Sequence, residues 1–259
     1  MPLIDPPHLR ALLGPAAGRF DVDSVEEIDS TSSELLRRAA QGAPSGSALV
    51  ADRQTAGRGR RGRDWLSAPA DSLTFSLLWR FDGPAGKLAG LSLAVGVAVA
   101  VALEKLGVVG VGLKWPNDVL LGEGKLAGIL VELSSERRGT LAVIGIGLNL
   151  QRPGAELPFP AAALADALNP LPDRHLILAE LLAALAEVLD RFSGEGFPAL
   201  QAAWQGRHAW QGQSARVLVD DLTTVAGTCL GADSDGALLL ATAAGTERFL
   251  SGDISLRQP

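Results

Sequence analysis

With one cysteine, Cys229, and three histidines, His8, His175 and His208, this chain has little from which to build a metal cluster or a redox pair. One thiol cannot close an internal disulfide, and the histidines are scattered without ligand spacing, so neither a disulfide framework nor a zinc site is expected. Scarcity of these residues also removes the usual base for a serine or cysteine nucleophile. The N-terminus, Met-Pro-Leu-Ile-Asp-Pro-Pro, lacks the basic and then apolar pattern of a signal peptide, which points to a reducing, cytoplasmic setting. Long apolar runs are missing too. The uncharged stretch from Leu88 to Leu103 falls short of the ~18–20 residues that span a bilayer and is rich in Ala and Gly, so a buried core helix is expected rather than a membrane segment.

What the chain does have is a concentrated basic loop. Its formal net charge is −6, yet Asp52 to Trp65 gathers Arg53, Arg58, Arg60, Arg61 and Arg63 among Gly57, Gly59 and Gly62. Arginine presents a rigid fork of donors to carboxylates and phosphates, and glycine lets backbone approach a ligand closely. A site for an anion is one reading, and a solvated or nucleic-acid-facing loop is the other. An acidic overall balance with no second basic cluster argues against nucleic acid.

The 259 residues allow one large domain and a small one. Ser24–Ile28 reads as a strand, followed by a polar turn, Ser30-Thr31-Ser32-Ser33, and a helix to Gly42, with Thr31 and Glu34 spaced as a capping box. Ala48–Arg53 and Leu73–Arg80 read as the strands entering and leaving the arginine loop. A strand from Val108 to Lys114 leads through Trp115-Pro116-Asn117-Asp118 into a hairpin closed by Gly122-Glu123-Gly124, whose return strand runs from Lys125 to Leu133. Leu141–Leu150 is a further strand, in which Gly145 and Gly147 leave room for a ligand or a neighbouring backbone. Helical patterns follow at Ala161–Leu168, Asp173–Phe192 and Phe197–His208. From Gly212 the texture turns to short β-runs with turn signals, which places a domain boundary near Gln211 and predicts a small barrel over residues 212–259 beside a larger domain over 1–211.

The polar residues that stand out are arginines, lysines, Gln54, Asn117 and Asp118. Charge stabilisation and positioning are what such groups supply, and transfers at phosphorus rely on both. A P-loop is excluded, because Arg63 and Asp64 stand where Gly57–Gly62 would need Lys and Ser/Thr to follow.

Taken together, Gly57-Arg-Gly-Arg-Arg-Gly-Arg63 with Trp65, Lys114-Trp-Pro-Asn-Asp118, Lys125-Leu-Ala-Gly-Ile-Leu130 and Gly145-Ile-Gly-Leu-Asn149 resemble, in order and spacing, the motifs of biotin–protein ligases. The segment from Gly231 to Arg257 resembles their small C-terminal domain. The resemblance implies an α+β fold, a mixed sheet flanked by helices in the manner of class II synthetases, with an SH3-like barrel. It implies activation of biotin by ATP with Mg2+ to biotinyl-AMP, then transfer to a lysine of a biotin carboxyl carrier domain. On this resemblance Lys125, Arg58 and Asp118 are the catalytic group. Ser30, Thr31, Ser32, Gln54, Arg58, Gly59, Arg60, Lys125 and Gly128 hold biotin. Arg58, Arg60, Arg63, Trp65, Lys114, Asn117, Lys125 and Asn149 hold ATP or the adenylate. The resemblance leaves the Mg2+ ligands unassigned and a homodimer through sheet edges open.

Two departures from the family pattern stand out. Ser32 occupies a position where the family usually has Asn, and a hydroxyl is shorter than an amide and lacks its two donors. Residues 1–23 are too few for the winged-helix domain that lets some members act as repressors, so a ligase without DNA binding is expected. A lipoate or octanoate ligase of related fold is the rival enzyme, and the glycines and like charges of the arginine loop suggest a lid that orders around an anion.

Overall fold

The computed structural model describes residues 2–66, 68–154, 157, 159–219 and 223–250, and the backbone of 255–257. A seven-stranded mixed sheet runs in the order β1-β2-β3-β7-β6-β5-β4. Its strands are β1 (Asp21–Ile28), β2 (Ser47–Gln54), β3 (Ser72–Phe81), β4 (Val111–Lys114), β5 (Asp118–Leu121), β6 (Gly124–Glu136) and β7 (Gly139–Asn149). β1 and β2 are parallel, because helix α2 (Thr31–Ala40) makes the crossover between them, and the remaining neighbours are antiparallel.

Period-two alternation assigns the two faces of this sheet. Leu73, Phe75, Leu77, Trp79 and Phe81 of β3 and Ile144, Ile146 and Leu148 of β7 join the large core, under helices α1 (Pro6–Leu13), α3 (Leu91–Lys105) and α4 (Arg174–Glu195). The intervening Leu78, Leu141 and Val143 face the other way and pack with Leu35 and Ala39 of α2. Beyond the reach of α2, that second face carries Thr74, Ser76, Gly145 and Gly147, all of which line a cleft. The open face of the sheet is where the site lies.

Helix α3 is the apolar stretch noted in the sequence. From Leu91 to Leu103 nearly every side chain is buried, which is what a helix apolar on all sides requires in a packed interior. It lies between the sheet and α4, as a core helix.

The N-terminal arm is tied to the same layer. His8 and His175 stack with ring centroids 4.4 Å apart, so two histidines far apart in sequence do converge, with Asp173, to within 4.8 Å at their ligand atoms. Both ring nitrogens of His175 are already engaged, Nδ1 with Asp173 at 2.7 Å and Nε2 as acceptor from Asp5 N–H at 2.9 Å. The cluster holds the arm on the start of α4.

Helix α5 (Pro198–Gln205) leads to a five-stranded antiparallel sheet, β11-β10-β9-β8-β12, from β8 (Ser214–Leu218), β9 (Thr224–Ala232), β10 (Leu238–Thr242), β11 (Gly245–Phe249) and β12 (Ser255–Arg257). Trp115, fully buried in the turn between β4 and β5, donates its indole N–H to Gly236 O at 3.0 Å and so joins the two sheets.

Two local expectations give way to tertiary hydrogen bonding. The helix expected at Ala161–Leu168 is a short 3-10 turn over Leu164–Asp166. Lys125 N–H donates to Pro160 O and Ala162 N–H to Lys125 O, which draws residues 160–162 alongside β6 in extended form. The cap of α2 falls one residue earlier than expected, on Ser30, whose hydroxyl accepts from Ser33 N–H. Thr31 turns its hydroxyl away from the helix, and Glu34 pairs with Arg37 and Arg38 instead of closing a box.

Candidate active site

The cleft has a floor, two ends and a cover. Its floor is laid out by strand register: Ser76 lies opposite Gly145 and that glycine opposite Leu130, while Thr74, Gly147, Gly128 and Asp118 form the next row across four strands. The glycines make this a trough. A Cβ on Gly145 would come within 2.8 Å of Ser32 Oγ, and one on Gly147 within 2.1 Å of the Trp65 indole.

At one end, the start of α2 meets β2 and β3 in a buried run of neutral hydrogen bonds. Gln54 Oε1 accepts from Thr31 N–H at 2.7 Å and from the Thr31 hydroxyl at 3.0 Å. Thr31 Oγ1 lies 2.7 Å and Ser32 Oγ 2.9 Å from Ser76 Oγ. This end is built for an uncharged polar group, since it offers donors and acceptors without a counter-ion.

The other end is charged. Lys125 Nζ sits 2.6 Å from Asp118 Oδ1, both side chains about four-fifths buried at 20% and 21% exposure. The same ammonium lies 5.7 Å from the Trp65 ring centre and 5.6 Å from that of Phe159. A β-bulge puts it there. Leu120 pairs with Lys125 but Val119 with Ala127, so one extra residue enters β6 between them. Leu126 and Ala127 then both enter the core, and Lys125 is switched onto the cleft face, beside Gly128. Asn117 is held by a bond from its amide to Ile129 O and accepts from Arg60 Nη1 at 3.4 Å.

The arginine loop forms the cover. It folds back as a small hairpin, with Gly59 N–H donating to Arg63 O, Trp65 N–H to Gly57 O, and a bridge between Arg58 and Asp64. Arg58 reaches over to Glu132 at 2.7 Å. Arg53 faces away, paired with Glu27.

Ser30, Thr31, Ser32, Gln54, Arg58, Gly59, Arg60, Arg63, Trp65, Lys114, Asn117, Asp118, Lys125 and Gly128 all line this one cleft. Asn149 does not. It is 7% exposed, and its amide donates to Lys125 O and Ala162 O, so it fixes the backbone that carries Lys125. Lining residues that sequence motifs did not announce include Thr74, Ser76 and Phe159. The first two left a signal, hydroxyls at alternate positions of the apolar run Leu73-Thr74-Phe75-Ser76-Leu77. Phe159 left none.

Comparison with known proteins points to one family. Residues 25–149 match the biotin/lipoate A/B protein ligase family and residues 215–257 the biotin protein ligase C-terminal domain. The chain is 39% identical over 236 residues to the bifunctional ligase/repressor BirA of Salmonella typhimurium, covering 89% of this chain and 72% of the relative. The chain belongs to the biotin protein ligase family. Another member, the biotin–[acetyl-CoA-carboxylase] ligase of Mycobacterium tuberculosis, is 36% identical over 98% of this chain and 96% of its own length. Among solved members, the Aquifex aeolicus biotin protein ligase in complex with biotin and ATP superimposes with a TM-score of 0.79 at 32% identity, over 92% of this chain and 99% of that one.

Proposed function

We propose that this protein is an ATP-dependent biotin–protein ligase, which joins biotin to AMP and then passes the biotinyl group to a lysine of a biotin carboxyl carrier domain. The observation that carries the proposal is the polarity of the cleft. A neutral hydrogen-bonding end at Thr31, Ser32 and Gln54 suits the ureido ring, and a cationic end at Lys125 under the arginine hairpin suits a carboxylate beside a phosphate.

Biotin and ATP meet as anions, so their approach is opposed until cations offset the repulsion. Lys125 Nζ, with Arg58 and Arg60 above it, supplies that charge on this reading. A carboxylate oxygen of biotin attacks the α-phosphorus, the bond to the bridging oxygen breaks, and pyrophosphate leaves. Arg63, Trp65, Lys114 and Asn117 surround the nucleotide. In the second step the acceptor amine attacks the acyl carbon and AMP leaves, with Asp118 placed to take the amine's proton. Once Lys125 binds phosphate, Asp118 is released for that role. The hairpin serves as the lid that keeps water from the mixed anhydride.

Among the described residues, Asp64 and Asp118 are the carboxylates that line the cleft, and the second is held by Lys125. Two such groups fit a Mg2+ that arrives on the triphosphate and keeps phosphate oxygens and water as ligands, rather than one caged by protein. The ion would add neutralising charge to the phosphates.

Exchange of labelled pyrophosphate into ATP, with biotin, lipoate or octanoate supplied in turn, tests the proposal. Exchange is expected with biotin. Exchange with lipoate or octanoate and none with biotin would overturn it.

A further inference from the structure

Thr74 places a buried hydroxyl on the cleft floor. It is 4% exposed, and among the described residues its Oγ1 makes no hydrogen bond. The hydroxyls at the neutral end of the cleft are all engaged, Thr31, Ser32 and Ser76 with one another and Ser30 with Ser33 N–H. A buried polar atom left unpaired is uncommon and destabilising, so its presence calls for a reason. A second orphan lies in the same row. The indole N–H of Trp65 is also buried and, among the described residues, without a partner, and the ring rests over Gly147, the residue paired with Thr74 across the strands. A hydroxyl and an N–H donor therefore meet the trough midway between the neutral end and Lys125.

We propose that Thr74 is a specificity-determining residue of this ligase, whose hydroxyl hydrogen-bonds a heteroatom in the fused ring head of biotin. The inference rests on the biotin reading above. The position follows from the row: Ser76, two residues along β3, belongs to the neutral end, and Gly128 and Asp118, in the same row as Thr74, belong to the charged end. The ring head, occupying the neutral end, extends into this row before the aliphatic chain continues toward Lys125. A plain fatty acyl chain has no polar atom to offer there and would keep Thr74 unpaired. Sites built to pair a polar group reject analogues that lack it, because the protein's own group then stays unsatisfied.

The test uses Thr74→Val, which keeps the shape and removes the hydroxyl, with Thr74→Ser as the conservative control. Three quantities are measured on the full chain: the biotin dissociation constant by calorimetry, the thermal midpoint without ligand, and kcat for pyrophosphate exchange at saturating biotin. Thr74→Val is expected to weaken biotin about tenfold, the size of one lost hydrogen bond, while its ligand-free midpoint stays level or rises because an unpaired polar atom is gone. Its saturated kcat stays near that of the wild type, and Thr74→Ser binds like the wild type. A purely structural threonine would not weaken binding and strengthen the fold together. Biotin affinity within twofold of wild type in Thr74→Val overturns the inference and leaves the ligase reading intact. Absence of biotin binding in the wild type overturns both. Should Thr74→Val not fold, Thr74→Ala carries the same comparison.

Discussion

Replacing Lys125 by methionine separates charge from shape, since the unbranched stem is kept almost to its full length and the ammonium is lost. Lys125 and Asp118 are each about four-fifths buried, and a carboxylate or phosphate oxygen in the cleft would approach the ammonium to about 4 Å. At an effective dielectric constant of about 20, one unit charge at that distance is worth roughly 4 kcal/mol. Applied to charge that develops as carboxylate meets phosphate, this is roughly a 10³-fold loss in kcat for biotinyl-AMP formation. The same substitution leaves Asp118, itself about four-fifths buried, without its cation, which costs the fold between the ~1 kcal/mol of an exposed pair and the ~3 kcal/mol of a buried one, small enough to keep most of the chain folded. Activity and stability should therefore diverge. Single-turnover formation of biotinyl-AMP is measured alongside urea unfolding. A fall in rate of less than tenfold, or a loss of activity that merely follows loss of the folded fraction, would refute the electrostatic assignment.

Three further outcomes are expected. Gly147→Ala places a methyl group within 2.1 Å of the Trp65 indole, closer than side-chain contacts allow, so Trp65 must leave the trough; faster trypsin cleavage at Arg60–Arg63 and weaker biotin binding should follow, and unchanged cleavage would count against it. Burial lowers the His208 pKa to about 4, below its unfolded value of about 6.5, so stability is fully present above pH 6.5 and is lost as pH falls toward 4. The loss is about 2–3 kcal/mol by pH 4.5 from this residue, and His208→Gln should flatten that part of the urea-midpoint profile; an unchanged slope would exclude His208 as its source. Trp115→Phe leaves Gly236 O without its 3.0 Å donor and should cost about 1–3 kcal/mol of stability, so an unchanged unfolding midpoint would show that the bond contributes nothing.

Much of the cleft was legible because its chemistry sits in contiguous motifs. The arginine loop, the Lys114–Asp118 turn and Lys125 each announce themselves by residue type, and all three line the site. The expectations that failed share one cause. Ala161–Leu168 has helical periodicity, but backbone bonds to Lys125 and the amide of Asn149 claim it for the sheet. Asn149 looked like a ligand contact because it ends a glycine-bearing motif, whereas its amide is consumed by two carbonyls. Long-range hydrogen bonds outweighed local preference in both cases.

The sequence alone determined the alternation of β3 and β7, the scarcity of thiol and imidazole, and the motifs that set the chemistry, since each depends on residue type and near-neighbour spacing. Only the tertiary structure decided which residues share a face. Strand register put Thr74 and Ser76 beside Gly145 and Gly147. A single bulge decided the rest: strict alternation would have sent Lys125 into the core with Ala127 and Ile129, and the extra residue in β6 turned it toward Asp118 and the cleft. Such a bulge is specified by pairing between strands, which no local stretch of sequence contains.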